Sequence, residues 1–182
     1  MSNVAGKESA LLVIDVQSGV VAQAFNRTSV ISNIKLAIDK ARSANVPVIW
    51  VQHSDDGLVL QSAEWQLAPE MNPKLNEPLV HKTFRSAFVE TDLQSILQNL
   101  EIGHLYVCGA ETNNCVRHTS HNALELGYDV TLLEDAHTTT SFEWKTYKVE
   151  AAVVIDEQNT NFMGYKLPGR NAAVVSVSKL VF

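Results

Sequence analysis

The stretch Ala10-Leu11-Leu12-Val13-Ile14-Asp15-Val16-Gln17 decides how the rest of the chain is read. Its apolar residues run on without alternation and are partly β-branched, which marks a strand covered on both faces, as in a parallel sheet. Asp15 interrupts the run near its carboxyl end. A buried carboxylate is costly unless it is paired or hydrogen-bonded. Asp15 therefore either caps the next segment or belongs to a site.

Working outward, apolar runs alternate with helical patterns. Val30, Ile31, Ile34, Ile38 and Ala41 recur at helical spacing, with Thr28 or Ser29 available as a cap. Pro47 opens a second run, Val48-Ile49-Trp50-Val51, that ends at Gln52-His53. Residues 54–78 carry polar side chains and the prolines Pro69, Pro73 and Pro78, and read as a long excursion of the functional or mobile kind. Leu79-Val80 is a short strand running into His81-Lys82. Thr91-x-x-Gln94 has the form of a capping box for a helix through Leu100. A strand over His104–Cys108 closes on Gly109-Ala110, and a helix follows from about Asn114 to Leu126, where Gly127 stops it. Asp129–Leu133 is a further buried strand, residues 142–163 read as helical, Pro168-Gly169 as a turn, and Ala172–Val177 as the strand that closes the sheet.

Repeated β-α-β units imply a three-layer α/β/α, Rossmann-like fold around a central six-stranded, mostly parallel sheet, with the whole span 1–182 as one domain. Such sheets bind ligands beyond the carboxyl ends of their strands. That rule singles out Asp15, Gln17, His53, Lys82 and the segment from Gly109 to Cys115.

Composition narrows the function from another side. The 182 residues carry a formal net charge of −6 and are 46% apolar and 19% charged, which is ordinary globular composition. The acidity argues against nucleic acid as a partner. No apolar run approaches the ~18 residues of a membrane span, and the polar start does not read as a signal peptide. Two cysteines, Cys108 and Cys115, are too few for a disulfide scaffold and favour a reducing, cytoplasmic setting.

Within its strand Cys108 reads as inert packing. Cys115 lies at a strand-to-helix junction, where unpaired N–H groups and the helix dipole lower a thiol's pKa and make it a nucleophile. Lys82, at a strand end, is either solvated or part of the same chemistry. Gln17, His53, Trp65, Phe88, Asn114 and His118 lie on segments that can line a pocket. Trp65 could stack on a planar substrate or cover the core. His118 and His121 read as surface residues, and His104 and His137 as strand-edge and loop residues without chemistry.

Three motifs in order, L-L-V-I-D-V-Q around Asp15, H-K-T-F-R-S-A-F around Lys82 and G-A-E-T-N-N-C-V around Cys115, resemble the signatures of the isochorismatase-like cysteine hydrolases. Leu126-Gly127-Tyr128-Asp129-Val130 and Glu134-Asp135-Ala136 add to a resemblance running from about residue 9 to 137. It implies an Asp15–Lys82–Cys115 triad that cleaves a small-molecule amide, carbamoyl or ureido bond through a thioester. It also implies an oxyanion hole at the N–H groups of Glu111 and Cys115, a cis peptide at Ala110–Glu111, no cofactor, and a homo-oligomer of two or more subunits.

The departures keep other readings open. Nicotinamide-cleaving members carry an Asp-x-His metal segment after the second strand. Here that segment reads Gln52-His53-Ser54-Asp55-Asp56, so no metal is expected, although His53, Asp55 and His81 are conceivable ligands. Members acting on the isochorismate vinyl ether generally lack the cysteine. A thiol-based redox or scaffold protein is the non-enzymatic alternative.

Overall fold

The computed structural model describes residues 6–182, so part of the polar start lies outside the described residues. Six strands form one sheet: β1 (Glu8–Ile14), β2 (Val48–His53), β3 (Leu79–Lys82), β4 (Ile102–Ala110), β5 (Asp129–Thr138) and, after a two-stranded hairpin of β6 (Phe142–Trp144) and β7 (Tyr147–Val149), β8 (Ala172–Val175). Their order is β3-β2-β1-β4-β5-β8, and every neighbouring pair is parallel. Strand order reverses between β1 and β4, which opens a crevice at the carboxyl edge between them.

The unbroken run in β1 is explained by packing on both faces. Leu11 and Val13 face one apolar cluster, with Val30, Ile31, Ile34 and Ile38 of α2 (Arg27–Ser43). Leu12 and Ile14 face the other, with Leu93 and Leu97 of α3 (Leu93–Asn99), Ala123 and Leu124 of α4 (Arg117–Leu126) and Phe162 of α5 (Ala151–Met163). The short turn α1 (Ser18–Val21) follows β1. No helix among the described residues is long and apolar enough to cross a membrane.

Several local expectations are corrected. The cap of α2 is Asn26 in the left-handed region, and Thr28 and Ser29 lie inside the helix. The capping box does not form as expected: Thr91 Oγ1 donates to the Ala87 carbonyl and accepts from the Leu93 N–H, and α3 starts at Leu93. Residues 142–149 are the β6–β7 hairpin, and only Ala151–Met163 is helical. His104 lies inside the sheet, bonded to Thr131 and stacked on Tyr106, and His137 is a buried residue of β5.

Residues 54–78 are irregular but tethered. Arg27 grips Glu70 through two hydrogen bonds, Arg42 grips Glu77, and the Trp50 indole N–H donates to Glu77 as well. Gly109 is required where β4 passes β1. Its φ is +123°, and a Cβ there would lie 2.0 Å from the Ile14 carbonyl oxygen.

Candidate active site

Each side chain of the expected triad leaves the sheet at its carboxyl edge. Asp15 follows the last ladder residue of β1 and adopts φ +48°, while its N–H still donates to the Val51 carbonyl. The chain thereby turns out of the sheet and the carboxylate stays at its rim, 1% exposed. Lys82 is the last residue of β3, in register with His53. β3 stands two strands from β1, roughly 10 Å away at ~4.8 Å per strand, and only a long side chain spans that gap. The Lys82 ammonium reaches Asp15 Oδ2 at 2.7 Å and Cys115 Sγ at 3.1 Å, and its side chain is wholly buried.

Cys115 does not sit inside the helix expected from Asn114. It lies in a wide π-type turn, Thr112–Val116, which Asn114 kinks with φ −116° and ψ −105° before α4 begins at Arg117. Ala110–Glu111 is a cis peptide. The expected lowering of the thiol's pKa is overturned. Burial pushes the Cys115 thiol up to about 12, the Asp15 carboxylate adds to this, and Lys82 only partly opposes it. Asp15 is also raised above the ordinary carboxylate value, because burial outweighs the Lys82 charge and the hydrogen bond with Cys115. The resting site thus holds a protonated thiol beside a carboxylate of increased proton affinity.

A cleft of about 560 Å³ opens over these groups. Asp15, Cys115, Asn114 and Glu111 line it from the sheet edge, Gly19, Val20 and Gln23 from the segment after β1, and His53, Asp55, Gly57, Leu58 and Glu64 from β2 and the excursion. Arg85 and Thr140 complete the lining. Glu111 accepts from the Asn114 amide at 2.8 Å and from the Thr140 hydroxyl at 3.5 Å.

Of the expected pocket residues, His53 and Asn114 line the cleft and four do not. Gln17 is buried beneath it: its amide donates to the carbonyls of His53 and Trp65 and accepts from the His53 N–H. Trp65 is almost fully buried and stacks on His81, so it covers the core. Phe88 packs on Tyr128 in the cluster behind α3 and α4. His118 is exposed beside His121 in a separate surface depression, with its Nδ1 against the Asn114 carbonyl. Gln23, Glu64, Arg85 and Thr140 were not singled out as pocket residues. Arg85 had a signal in its place three residues after Lys82, whereas Glu64 reaches the cleft only through the docking of the excursion.

The conceivable metal ligands do not converge. His53 Nε2 is 3.0 Å from Asp55 Oδ2, but His81 is engaged with Trp65, and no group of three or more His, Cys, Asp or Glu side chains suited to a metal occurs among the described residues. The hydrogen bond with His53 first, and then those from the N–H groups of Leu58 and Gly57, hold the Asp55 carboxyl below the usual value. These residues do not fit an expected divalent site. The two cysteines are both unpaired and belong to different core clusters on opposite faces of the sheet.

The protein is of the α/β class with an all-parallel sheet, and an acid, a lysine and a cysteine gather at the sheet's switch point. The sequence matches the isochorismatase domain family over residues 9–158, and the chain belongs to that family. It is 32% identical over 136 residues to a streptothricin hydrolase of Streptomyces noursei, which covers 71% of this chain and 49% of that protein, so the chain spans about half that relative's length. It is 29% identical to a ureidoacrylate amidohydrolase of Enterobacter sp. (strain 638), over 72% of this chain and 76% of that one. Among solved structures, an isochorismatase from Pseudomonas putida KT2440 superposes with a TM-score of 0.85 at 26% identity, covering 99% of this chain and 92% of that one.

Proposed function

We propose that the protein is a cysteine hydrolase of a small amide, carbamoyl or ureido C–N bond, with Cys115 as nucleophile, Asp15 as proton carrier and Lys82 as the cation that orients both. The observation that carries this reading is the contact of one buried ammonium with Asp15 at 2.7 Å and Cys115 at 3.1 Å on the floor of the cleft. The names of two relatives, a streptothricin hydrolase and above all a ureidoacrylate amidohydrolase, support it.

The steps follow from the proton inventory. A thiol pushed up to about 12 is a poor nucleophile until it loses its proton, and Asp15 is the base beside it. As sulfur bonds to the carbonyl carbon, the thiol proton passes to Asp15, and the oxyanion is held by the N–H groups of Glu111 and Cys115. Collapse breaks the C–N bond while Asp15 returns the proton to the leaving nitrogen. Asp15 then takes a proton from water, hydroxide adds to the thioester, the C–S bond breaks, and the thiolate recovers the proton. Lys82 is more than a counter-ion in this cycle. Without it a buried Asp15 would be neutral and unable to accept the proton.

Substrate selection falls to the cleft's unpaired charges. Asp55 and Glu111 already accept hydrogen bonds within the chain, whereas Arg85 and the Glu64 carboxylate have no partner among the described residues. The test is an ammonia-release screen over small amides and ureido compounds, run beside Cys115→Ala. A substrate turned over by the parent and by Cys115→Ala at equal rates would sink the reading; an acyl mass trapped on Cys115 would secure it.

A further inference from the structure

The last two residues of β5, His137 and Thr138, and the two that follow it, Thr139 and Thr140, have no part in the hydrolytic cycle. Three of them hold three consecutive residues of the turn before Cys115: His137 bonds Thr112, Thr139 bonds Asn113, and Thr140 bonds Glu111. The innermost contact has a direction that can be read from its neighbours. The Asn159 amide on α5 donates its N–H to the Glu134 carbonyl, which leaves its oxygen to face His137 Nε2 at 2.9 Å. His137 therefore carries its proton on Nε2, and Nδ1 is an acceptor. The Thr112 hydroxyl, 2.9 Å away, donates to it. Thr112 is fully buried and His137 is 1% exposed, so neither group can replace this partner with bulk water.

We propose that His137, held in its Nε2–H form by Asn159, is a positioning residue that fixes the nucleophile turn through the Thr112 hydroxyl, so that Cys115 faces Asp15 and Lys82. This rests on the reading of Cys115 as the nucleophile. The chain of bonds runs from the Glu134 carbonyl through Asn159 and His137 to Thr112, three residues before Cys115, and so ties α5 to the reacting sulfur without touching it. Burial keeps the imidazole neutral and pushes it down to about 4, so it contributes no charge to the site. Its role is direction. A nucleophile displaced by about 1 Å can lose as much as 10²-fold in rate.

The experiment measures the second-order rate at which iodoacetamide alkylates Cys115 in the intact protein, with the labelled peptide identified by mass, beside the thermal midpoint of each variant. Thr112→Val removes the hydroxyl at nearly constant shape and slows labelling roughly tenfold, and Thr112→Ser restores it. An asparagine amide reaches the place of ring Nδ1 and a glutamine amide that of Nε2. His137→Asn therefore labels closer to the parent rate, and His137→Gln behaves like Thr112→Val. A purely structural role lowers the midpoint in all these variants and leaves the labelling rate alone. Parent-like or faster labelling in Thr112→Val overturns the proposal, and that pair of threonine variants decides the matter even if the His137 variants do not fold. A parent protein in which Cys115 is alkylated no faster than the buried Cys108 overturns the nucleophile reading itself, and the positioning role with it.

Discussion

Cys108 and Cys115 lie seven residues apart, in the strand β4 and in the turn that leaves it, and their surroundings differ in partners and in access. Both thiols are buried, and burial pushes both upward. The Cys108 sulfur meets only the Leu12 carbonyl, at 3.6 Å, among packed apolar side chains. The Cys115 sulfur meets an ammonium and a carboxylate and borders the cleft. Burial among apolar groups leaves a thiol with nothing to take its proton; burial beside an ammonium and a carboxylate gives it a proton acceptor within hydrogen-bond reach. The difference lies in the partners and the access rather than in the depth.

The largest expected effect breaks the comparison outright. Cys115→Ala lowers hydrolysis by at least ~10³-fold in an ammonia-release assay while the fold survives, and Cys108→Ala keeps activity at a stability cost of about 1 kcal/mol. Lys82→Met turns the surroundings of Cys115 towards those of Cys108. It strands Asp15 as a buried carboxyl and costs about 3–5 kcal/mol in chemical denaturation, with activity lost alongside. Glu at position 82 would not restore it.

Burial without a charged partner has its own pH signature, and His137 sharpens the contrast there. Its ordinary value is 6.5 and the folded value is about 4, so between those pH values the unfolded chain binds the extra proton and the folded chain does not. Its contribution is fully present above pH 6.5 and is lost as pH falls to about 4, a swing of roughly 3 kcal/mol. His137→Asn flattens that limb of the stability profile, measured by denaturant midpoint against pH. Arg85→Gln is the smallest of the expected effects. Arg85 is exposed at the cleft, so its loss raises KM a few-fold, on the order of 1 kcal/mol or less, and leaves kcat near the parent value.

The legibility of the sequence follows the same division. Asp15 and Lys82 stand where apolar runs stop and Cys115 lies in the turn just past one, so topology directs attention to that edge, and the resemblance carried by the three motifs joins them into one set. Residues 142–149 misled because the alternation Phe142-Glu143-Trp144 and Tyr147-Lys148-Val149 turns at Lys145, a non-glycine residue with φ +56° that carries no turn signal. Gln17, Trp65 and Phe88 lie on segments near the site, yet a segment does not fix which way a side chain faces, and all three turn into the packing. Glu64 illustrates the converse: it enters the cleft because Gly19 donates its N–H to the Glu64 carbonyl and Arg27 anchors Glu70 further along, contacts that no local pattern announces.

Gln17 has a meaning that reaches past packing. The main chain abandons β1 at Asp15, yet the edge of β2 beyond it still meets one donor and one acceptor, because the Gln17 side chain supplies both to the His53 peptide. An amide side chain thus serves as a surrogate peptide unit, continuing the ladder by one rung after the backbone has left it. Asp15 gains the freedom to bend out of the sheet at no loss to the strand beside it, and a glutamate at position 17, similar in shape but lacking the N–H, would remove that rung.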